Sequence, residues 1–264
     1  MKPSRRREEI VRTATSNGLA SVDELATRFA VTPSTIRRDL ARLQESGQLA
    51  RVLGGAIPSH RESSLTERSS EGRAAKRGIG LWAATQVSPD SAVLLDAGST
   101  TTELAIALRE HSGLRVATIG LTPLAAISGA PGVDVICLGG HLRHISQGFE
   151  GPLTEAALER LTFDAVFLGC DGVTAERGIC EATIAQTRLK ELMWRASART
   201  YVLAHAPKLG LHAFSAWVPM PPRWTLVTDT AATPEQTAPF TARGIEVVQV
   251  DEQGQAASLA GHSR

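Results

Sequence analysis

At 264 residues, with 42% hydrophobic and 21% charged residues, the chain is long enough for a small domain joined to a larger one, each with a real core. It holds no run of ~18 apolar residues to span a bilayer and no apolar stretch behind its basic N-terminus "MKPSRRREEIVR" to make a secretory signal, so a cytoplasmic protein away from membranes is expected. The formal net charge of +1 hides an asymmetry: residues 1–77 carry 15 Lys and Arg against 9 Asp and Glu, and residues 78–264 carry 13 against 18, so the N-terminal part is expected to seek an anionic partner, nucleic acid foremost.

Three helical patterns open the chain. Arg5 to Ser16 sets Ile10, Val11 and Ala14 on one face and stops at Asn17-Gly18. Val22 to Phe29 is preceded by Ser21 as N-cap with Glu24 three residues on, a capping box, and its apolar stripe is Val22, Leu25, Ala26 and Phe29. Thr32 caps a third helix with Pro33 at its first position, which runs to about Ser46 and ends at Gly47. "GQLARVLGGA" then alternates and turns at Gly54-Gly55, a small β-wing.

On the third helix Ile36, Leu40 and Leu43 face the other two, while Ser34, Arg38, Ala41 and Glu45 face outward with Arg37 and Arg42 on the flanks. A helix braced in this way and offering hydroxyls and guanidinium groups suits a major groove. Residues 1–58 are therefore expected to form a winged helix-turn-helix DNA-binding domain. Its candidate contacts to a double-stranded operator are Ser21, Thr32, Ser34, Thr35, Arg37, Arg38, Arg42 and, in the wing, Arg51.

A polar stretch, residues 59–77, reads as a linker that becomes helical toward Lys76 and Trp82. Beyond it apolar strands alternate with amphipathic helices from "AVLLDAG" to "IEVVQVD", which predicts a mostly parallel sheet covered on both faces over residues 78–255. Residues 256–264 are expected to fray. Within this unit "LLDAGSTTTELA" is a strand, a hydroxyl-rich loop and a helix start, so Gly98, Ser99, Thr100 and Thr101 are candidates to cradle a phosphate. The loop has neither the Gly-Lys-Ser/Thr of a Walker motif nor a Gly-x-Gly-x-x-Gly.

Asp96, Gly139-Gly140, Asp171 and Lys208 each follow a strand, where ligands of open α/β sheets collect, so they, with His205 and Glu181, complete the candidate binding set. Arg68 and Lys76 either join the domains or face water. Cys137, Cys170 and Cys180 show neither a disulfide framework nor a zinc spacing with the seven histidines, and are expected as buried thiols. Neither a metal nor a cofactor is expected.

"SVDELATRFAVTPSTIRRDLARLQESGQLARVLGGA" resembles the DeoR-type (DeoR/GlpR) winged helix-turn-helix signature. "LLDAGSTTTELA", "CLGGHLR", "FEGPL", "FDAVFLGCDGV" and "PKLG" follow in the order of that family's sensor domain. The resemblance implies a bacterial transcriptional regulator, usually a repressor of carbohydrate-metabolism genes. It further implies a ribose-phosphate-isomerase-like α/β domain that senses a phosphorylated sugar or polyol, and a homo-oligomer, dimer or tetramer, on DNA. The sequence departs from the family at "AHAPKLG", where His205 and Pro207 replace an acid and a hydroxyl, and at Ile119-Gly120 in place of Thr-Asn. Two other readings follow: a constitutive DNA binder with a diverged pocket, and an isomerase-like enzyme whose base would come from Asp171, Glu176 or Glu181. The residues favour a regulator that is not an enzyme.

Overall fold

The computed structural model describes residues 5–7, 9–10, 13, 20–45, 49–52, 55–58 and 62–257, with the side chains of 20, 44, 45, 49–52 and 55–58 outside the description. Helical residues between 5 and 13 precede β1 (Ala20–Ser21), α1 (Val22–Phe29) and α2 (Pro33–Glu45). The capping box predicted for α1 forms: Ser21 Oγ accepts from Glu24 N at 3.1 Å while Glu24 Oε2 accepts from Ser21 N at 3.1 Å. Ile10, Leu25, Ala26, Ile36 and Leu43 bury together as the core of this unit. A buried ion pair that apolar periodicity does not reveal joins Arg6 Nε to Asp39 Oδ2 at 2.6 Å, tying the first helical segment to α2.

The wing is a three-stranded antiparallel sheet of β1, β3 (Gly55–Pro58) and β2 (Leu49–Val52), in that order; β1 is a strand the alternation did not mark. The expected Asn17-Gly18 stop, the Ser46-Gly47 helix end and Gly54 of the wing turn lie outside the described residues.

The second unit is built on a seven-stranded sheet, every neighbouring pair parallel, in the order β15-β14-β12-β9-β4-β5-β6. These strands are β4 (Ala92–Leu95), β5 (Leu114–Thr118), β6 (Val133–Cys137), β9 (Phe163–Leu168), β12 (Ser197–Leu203), β14 (Thr225–Asp229) and β15 (Glu246–Val250). Alternation along them feeds two cores. Leu94, Val166, Val202 and Leu226 pack on one face with Leu189 and Met193 of α8 (Ile184–Arg195). Leu95, Val116, Phe167 and Leu203 pack on the other with Ile79 and Ala83 of α4 (Arg73–Thr85) and Leu104 of α5 (Ser99–Ala107).

The segment expected as a linker is part of this second unit. It forms α3 (Leu65–Ser70) and opens α4, and α4 is one of the layers on the sheet because Ile79, Ala83 and Ala84 form its buried face. Leu65 N donates to Ile145 O at 2.9 Å, and Glu62 pairs with Arg143 through both guanidinium ends. Gly72, between the two helices, takes φ +55, and a Cβ there would press on the His205 ring.

Three features escaped the sequence reading: the hairpin of β7 (His141–Arg143) and β8 (Gly148–Glu150), the small sheet of β10 (Gly172–Thr174), β11 (Gly178–Glu181) and β13 (Ala216–Val218), and α9 (Pro234–Thr241). Of the cysteines, Cys170 and Cys180 are buried as expected, but Cys137, at the end of edge strand β6, is exposed. The tail begins later than residue 256, since Ala256 bridges to Val250 and Ala257 N donates to Gln249 O at 2.7 Å. Among the described residues no helix is long and apolar enough to cross a membrane, and no group of three or more His, Cys, Asp or Glu is arranged to hold a metal.

Candidate functional site

Two places concentrate functional chemistry. On α2, Ile36 and Leu43 are buried while Ser34, Arg37, Arg38 and Arg42 are exposed. The hydroxyls at its start bond one another: Thr32 Oγ1 lies 2.8 Å from Ser34 Oγ and 3.0 Å from Thr35 Oγ1, and accepts from Thr35 N at 3.3 Å. Thr32 thus caps the helix, as its sequence position predicted. Ser21 is spent on the α1 cap, and Arg51 falls on β2. The result is a helix face bearing arginines that no carboxylate of the described residues neutralises.

The second place is a cavity beyond the C-terminal ends of β4 and β9, lined by Asp96, Gly98, Ser99, Thr100, Thr101, Glu181 and Lys208 of the candidate set. The space open to the centre of a water-sized sphere is about 50 Å³, several times the ~10–15 Å³ that one water needs. Its floor is the first turn of α5. Thr101 Oγ1 and Thr102 Oγ1 donate to Gly98 O at 3.0 and 2.7 Å and so hold the loop. The hydroxyls of Ser99 and Thr100 make no hydrogen bond to the described residues, and the N–H groups that open the helix have no carbonyl one turn back.

Beside the loop a buried charge cluster fixes the wall. Lys190 Nζ lies 2.5 Å from Asp96 Oδ2 and 2.8 Å from Glu181 Oε1, and donates to Gly169 O at 2.8 Å. Asp96 also accepts from Ala97 N at 2.7 Å and Gly169 N at 2.9 Å. It joins the ends of β4 and β9, with Oδ2 taken by Lys190 and Gly169 and Oδ1 by one backbone N–H. Burial alone would lower the Lys190 pKa, but Asp96 and Glu181 outweigh it and hold the ammonium protonated. Burial pushes Glu181 the other way, up to about 8 against the pull of Lys190, with Asp171 and Asp96 adding to the rise. Glu181 therefore holds its proton to higher pH than an ordinary carboxyl does.

A second chamber, with about 210 Å³ open to the centre of a water-sized sphere, shares Arg68 and Lys208 with the first and adds Asp171 and His205. Arg68 Nη1 meets Asp171 Oδ1 at 3.0 Å. Lys208 Nζ donates to Cys170 O at 2.5 Å. His205 is held neutral, its pKa lowered to about 4 by burial and then by Lys208 and Lys76. Lys76 is wholly buried and donates to Arg68 O; burial, then Lys208, lowers its pKa to about 8.

Residues 6–62 match the DeoR-like helix-turn-helix domain and residues 71–230 match the DeoR C terminal sensor domain. The chain belongs to the DeoR family of transcriptional regulators. It is 31% identical to a protein assigned as the aga operon transcriptional repressor of Escherichia coli O157:H7, over 94% of both chains. It is 33% identical to the regulator GolR of Listeria innocua, over 80% of this chain and 84% of that one. Identity to the regulator GlpR of Haloferax volcanii is 29%, over 94% and 98%. Among solved structures, ribose 5 phosphate isomerase A from Neisseria gonorrhoeae superposes over 53% of each chain, with a TM-score of 0.38 and 13% identity.

Within this DeoR fold the expected site residues divide. Gly139 and Gly140 do not reach either chamber: Gly139 O accepts from Thr154 Oγ1 at 2.6 Å, and a Cβ on Gly140, at φ +123, would collide with Thr154 Oγ1 and the Glu150 carbonyl. Close packing thus fixes Gly140, while Gly139, at φ +54, has open space where a Cβ would stand. Asp171 and His205 line the second chamber rather than the loop cavity. Arg68 and Lys76 neither face water nor span a gap; both are enclosed, Arg68 against Asp171 and Lys76 against the Arg68 carbonyl. Lys190 was missed, although its signal was present: it falls between Thr187 and Met193 on the buried stripe of α8, where an unpaired lysine is not tolerated. Ser146, Gly148 and Phe149 also line the loop cavity, brought there by a hairpin too short to show a period.

Proposed function

We propose that this DeoR-family protein is a soluble, cytoplasmic repressor of carbohydrate-metabolism genes. In this reading α2 enters the major groove of an operator with Ser34, Arg37, Arg38 and Arg42, the wing adds Arg51, and a homo-oligomer places two such heads on DNA. A phosphorylated sugar or polyol occupies the loop cavity and shifts the population competent to bind DNA. The observation that carries the reading is the loop at Gly98–Thr101, where unclaimed hydroxyls and helix-opening N–H groups face an enclosed cavity. An effector acts only if it binds two arrangements differently, and α3, which lies along the wall through Arg68, supplies the element that differs. The name of one relative, the aga operon transcriptional repressor, supports the direction of control.

Catalysis is disfavoured by the same geometry. Proton abstraction needs a free base, whereas Asp171 and Glu181 are held in ion pairs and Glu176 sits at the surface beside Arg243. The test is quantitative DNA binding at fixed salt, comparing a duplex from upstream of the protein's own gene with a scrambled one, together with thermal melts of the full chain in ribitol 5-phosphate, sorbitol 6-phosphate and inorganic phosphate. The reading expects specific binding at least ~10³ tighter than non-specific and a rise in melting temperature with a phosphorylated polyol. Equal affinity for both duplexes, or melts unmoved by every phosphate, would overturn it.

A further inference from the structure

The second chamber holds more hydrogen-bonding capacity than the protein uses. His205 Nδ1, Asp171 Oδ2 and both Arg68 Nε and Nη2 are buried and have no hydrogen-bond partner. His205 is 8% exposed and the Asp171 side chain 9%. Native interiors leave few such groups, and each needs an explanation; four in one chamber point to a ligand that supplies the partners. Arg68 meets Asp171 through Nη1 alone, so an anion that draws the guanidinium toward the chamber would meet the rest of its donor fork.

Charge decides what kind of ligand. Among the described residues neither Lys208 nor Lys76 has a carboxylate within 4 Å; each donates instead to a backbone carbonyl. The acids nearest them are accounted for or peripheral: Asp171 is paired with Arg68, Glu62 with Arg143, Glu103 lies 3.9 Å from Arg73, and Glu71, which also lines the chamber, is exposed. Both lysines lie close enough to His205 to disfavour its protonation. Lys76 is buried and Lys208 half-buried, and holding two such cations without counter-charge is costly; an anion placed between Lys208 and Arg68 would relieve it. A hydroxyl would satisfy the donors and leave the charge unbalanced.

Because Arg68 and Lys208 line both chambers, one molecule reaches from the loop into this space. We propose that the effector carries a second anionic group, a carboxylate or a second phosphate, at the end remote from its loop-bound phosphate, held in the second chamber by Lys208, Arg68 and His205. This rests on the phosphate reading of the loop. The ligand class is then a phosphorylated sugar acid or a sugar bisphosphate rather than a simple sugar phosphate.

The test is calorimetric titration of the full chain with matched ligands on the glycerol, ribitol and sorbitol skeletons: the polyol monophosphate, the corresponding aldonic acid phosphate and the terminal bisphosphate. At one chain length at least, a doubly anionic member should bind about tenfold or more tighter than its polyol monophosphate. Which member gains separates carboxylate from phosphate. Lys208→Met should shrink that ratio toward one, with Lys208→Gln used where the first does not fold, and His205→Asp, which puts an acid in the chamber, should reverse it. If polyol monophosphates bind as well as or better than their acidic partners at every length, the second anion is refuted while the loop reading stands. If no phosphorylated compound binds, both fall.

Discussion

Arg37, Arg38 and Arg42 stand in water on α2, and no carboxylate of the described residues lies within salt-bridge distance of them; Lys190, in the other unit, is enclosed between Asp96 and Glu181. The contrast shows how one chain uses cations for two purposes. Exposed guanidinium groups cost little to keep unpaired, because water solvates them until a polyanion arrives, so their work is salt-dependent and borrowed from the partner. Buried ammonium groups have no such freedom. They must be paired when the chain folds, and so they fix the shape of a cavity in advance.

The largest effect that would break this contrast is expected at Lys190. Lys190→Met leaves Asp96 and Glu181 buried without their cation, and a loss of about 3–5 kcal/mol is expected for a broken buried pair, read as a lowered midpoint in chemical denaturation. Adding Glu181→Gln to that variant should recover part of the loss. Full stability of Lys190→Met would mean that the cluster does not organise the cavity.

Asp39→Ala strands Arg6 in the smaller unit. It should cost about 3 kcal/mol, the lower end of the same range, and abolish DNA binding while the near-ultraviolet signal of the α/β unit persists. Next comes the exposed face. Arg38→Ala should cost ~1–3 kcal/mol on the operator and relax its discrimination, whereas Arg51→Ala should weaken all sequences alike and reduce the salt slope by about one. Equal losses on specific and random DNA for Arg38→Ala would remove it from base reading.

The remaining prediction concerns pH. The Glu181 pKa is raised from 4.5 to about 8 in the folded chain, so between those values the folded state binds more protons than the unfolded one. The stability contributed by this group is complete below the unfolded value and is lost as pH rises toward 8. Glu181→Gln should lack that component, so the difference in midpoint between variant and parent should widen in the variant's favour from pH 5 to pH 8. A constant difference across that range would mean Glu181 is ionised throughout.

The DNA-binding unit was largely legible because each of its devices is local: a capping box, a proline at the first helical position and stripes spaced by one helical turn. The parallel sheet was legible for a similar reason, since strands buried on both faces read as apolar runs. What stayed hidden depends on contacts across long separations. Lys190 and Asp96 are 94 residues apart, and Arg68 and Asp171 are 103 apart, and no period in the sequence announces such pairs. The linker misled because α3 and α4 have the polar surface of solvent-facing helices, while their function in the fold is carried by Leu65, Arg68 and Lys76 on one side. Gly139-Gly140 misled in the opposite way: a glycine pair after a strand suits ligand approach, and here it lets Thr154 and the hairpin pack.

The central claim is that cavity occupancy changes DNA affinity. The measurement that addresses it most directly is fluorescence anisotropy of the full chain on its own upstream DNA at fixed salt, titrated with the phosphorylated compound that binds most tightly, beside a Thr100→Val variant that removes an unclaimed hydroxyl from the loop. The account predicts that the ligand shifts the DNA dissociation constant for the parent chain, and that the variant binds DNA as before but requires more ligand. A DNA affinity that stays constant while the cavity is demonstrably filled would contradict it.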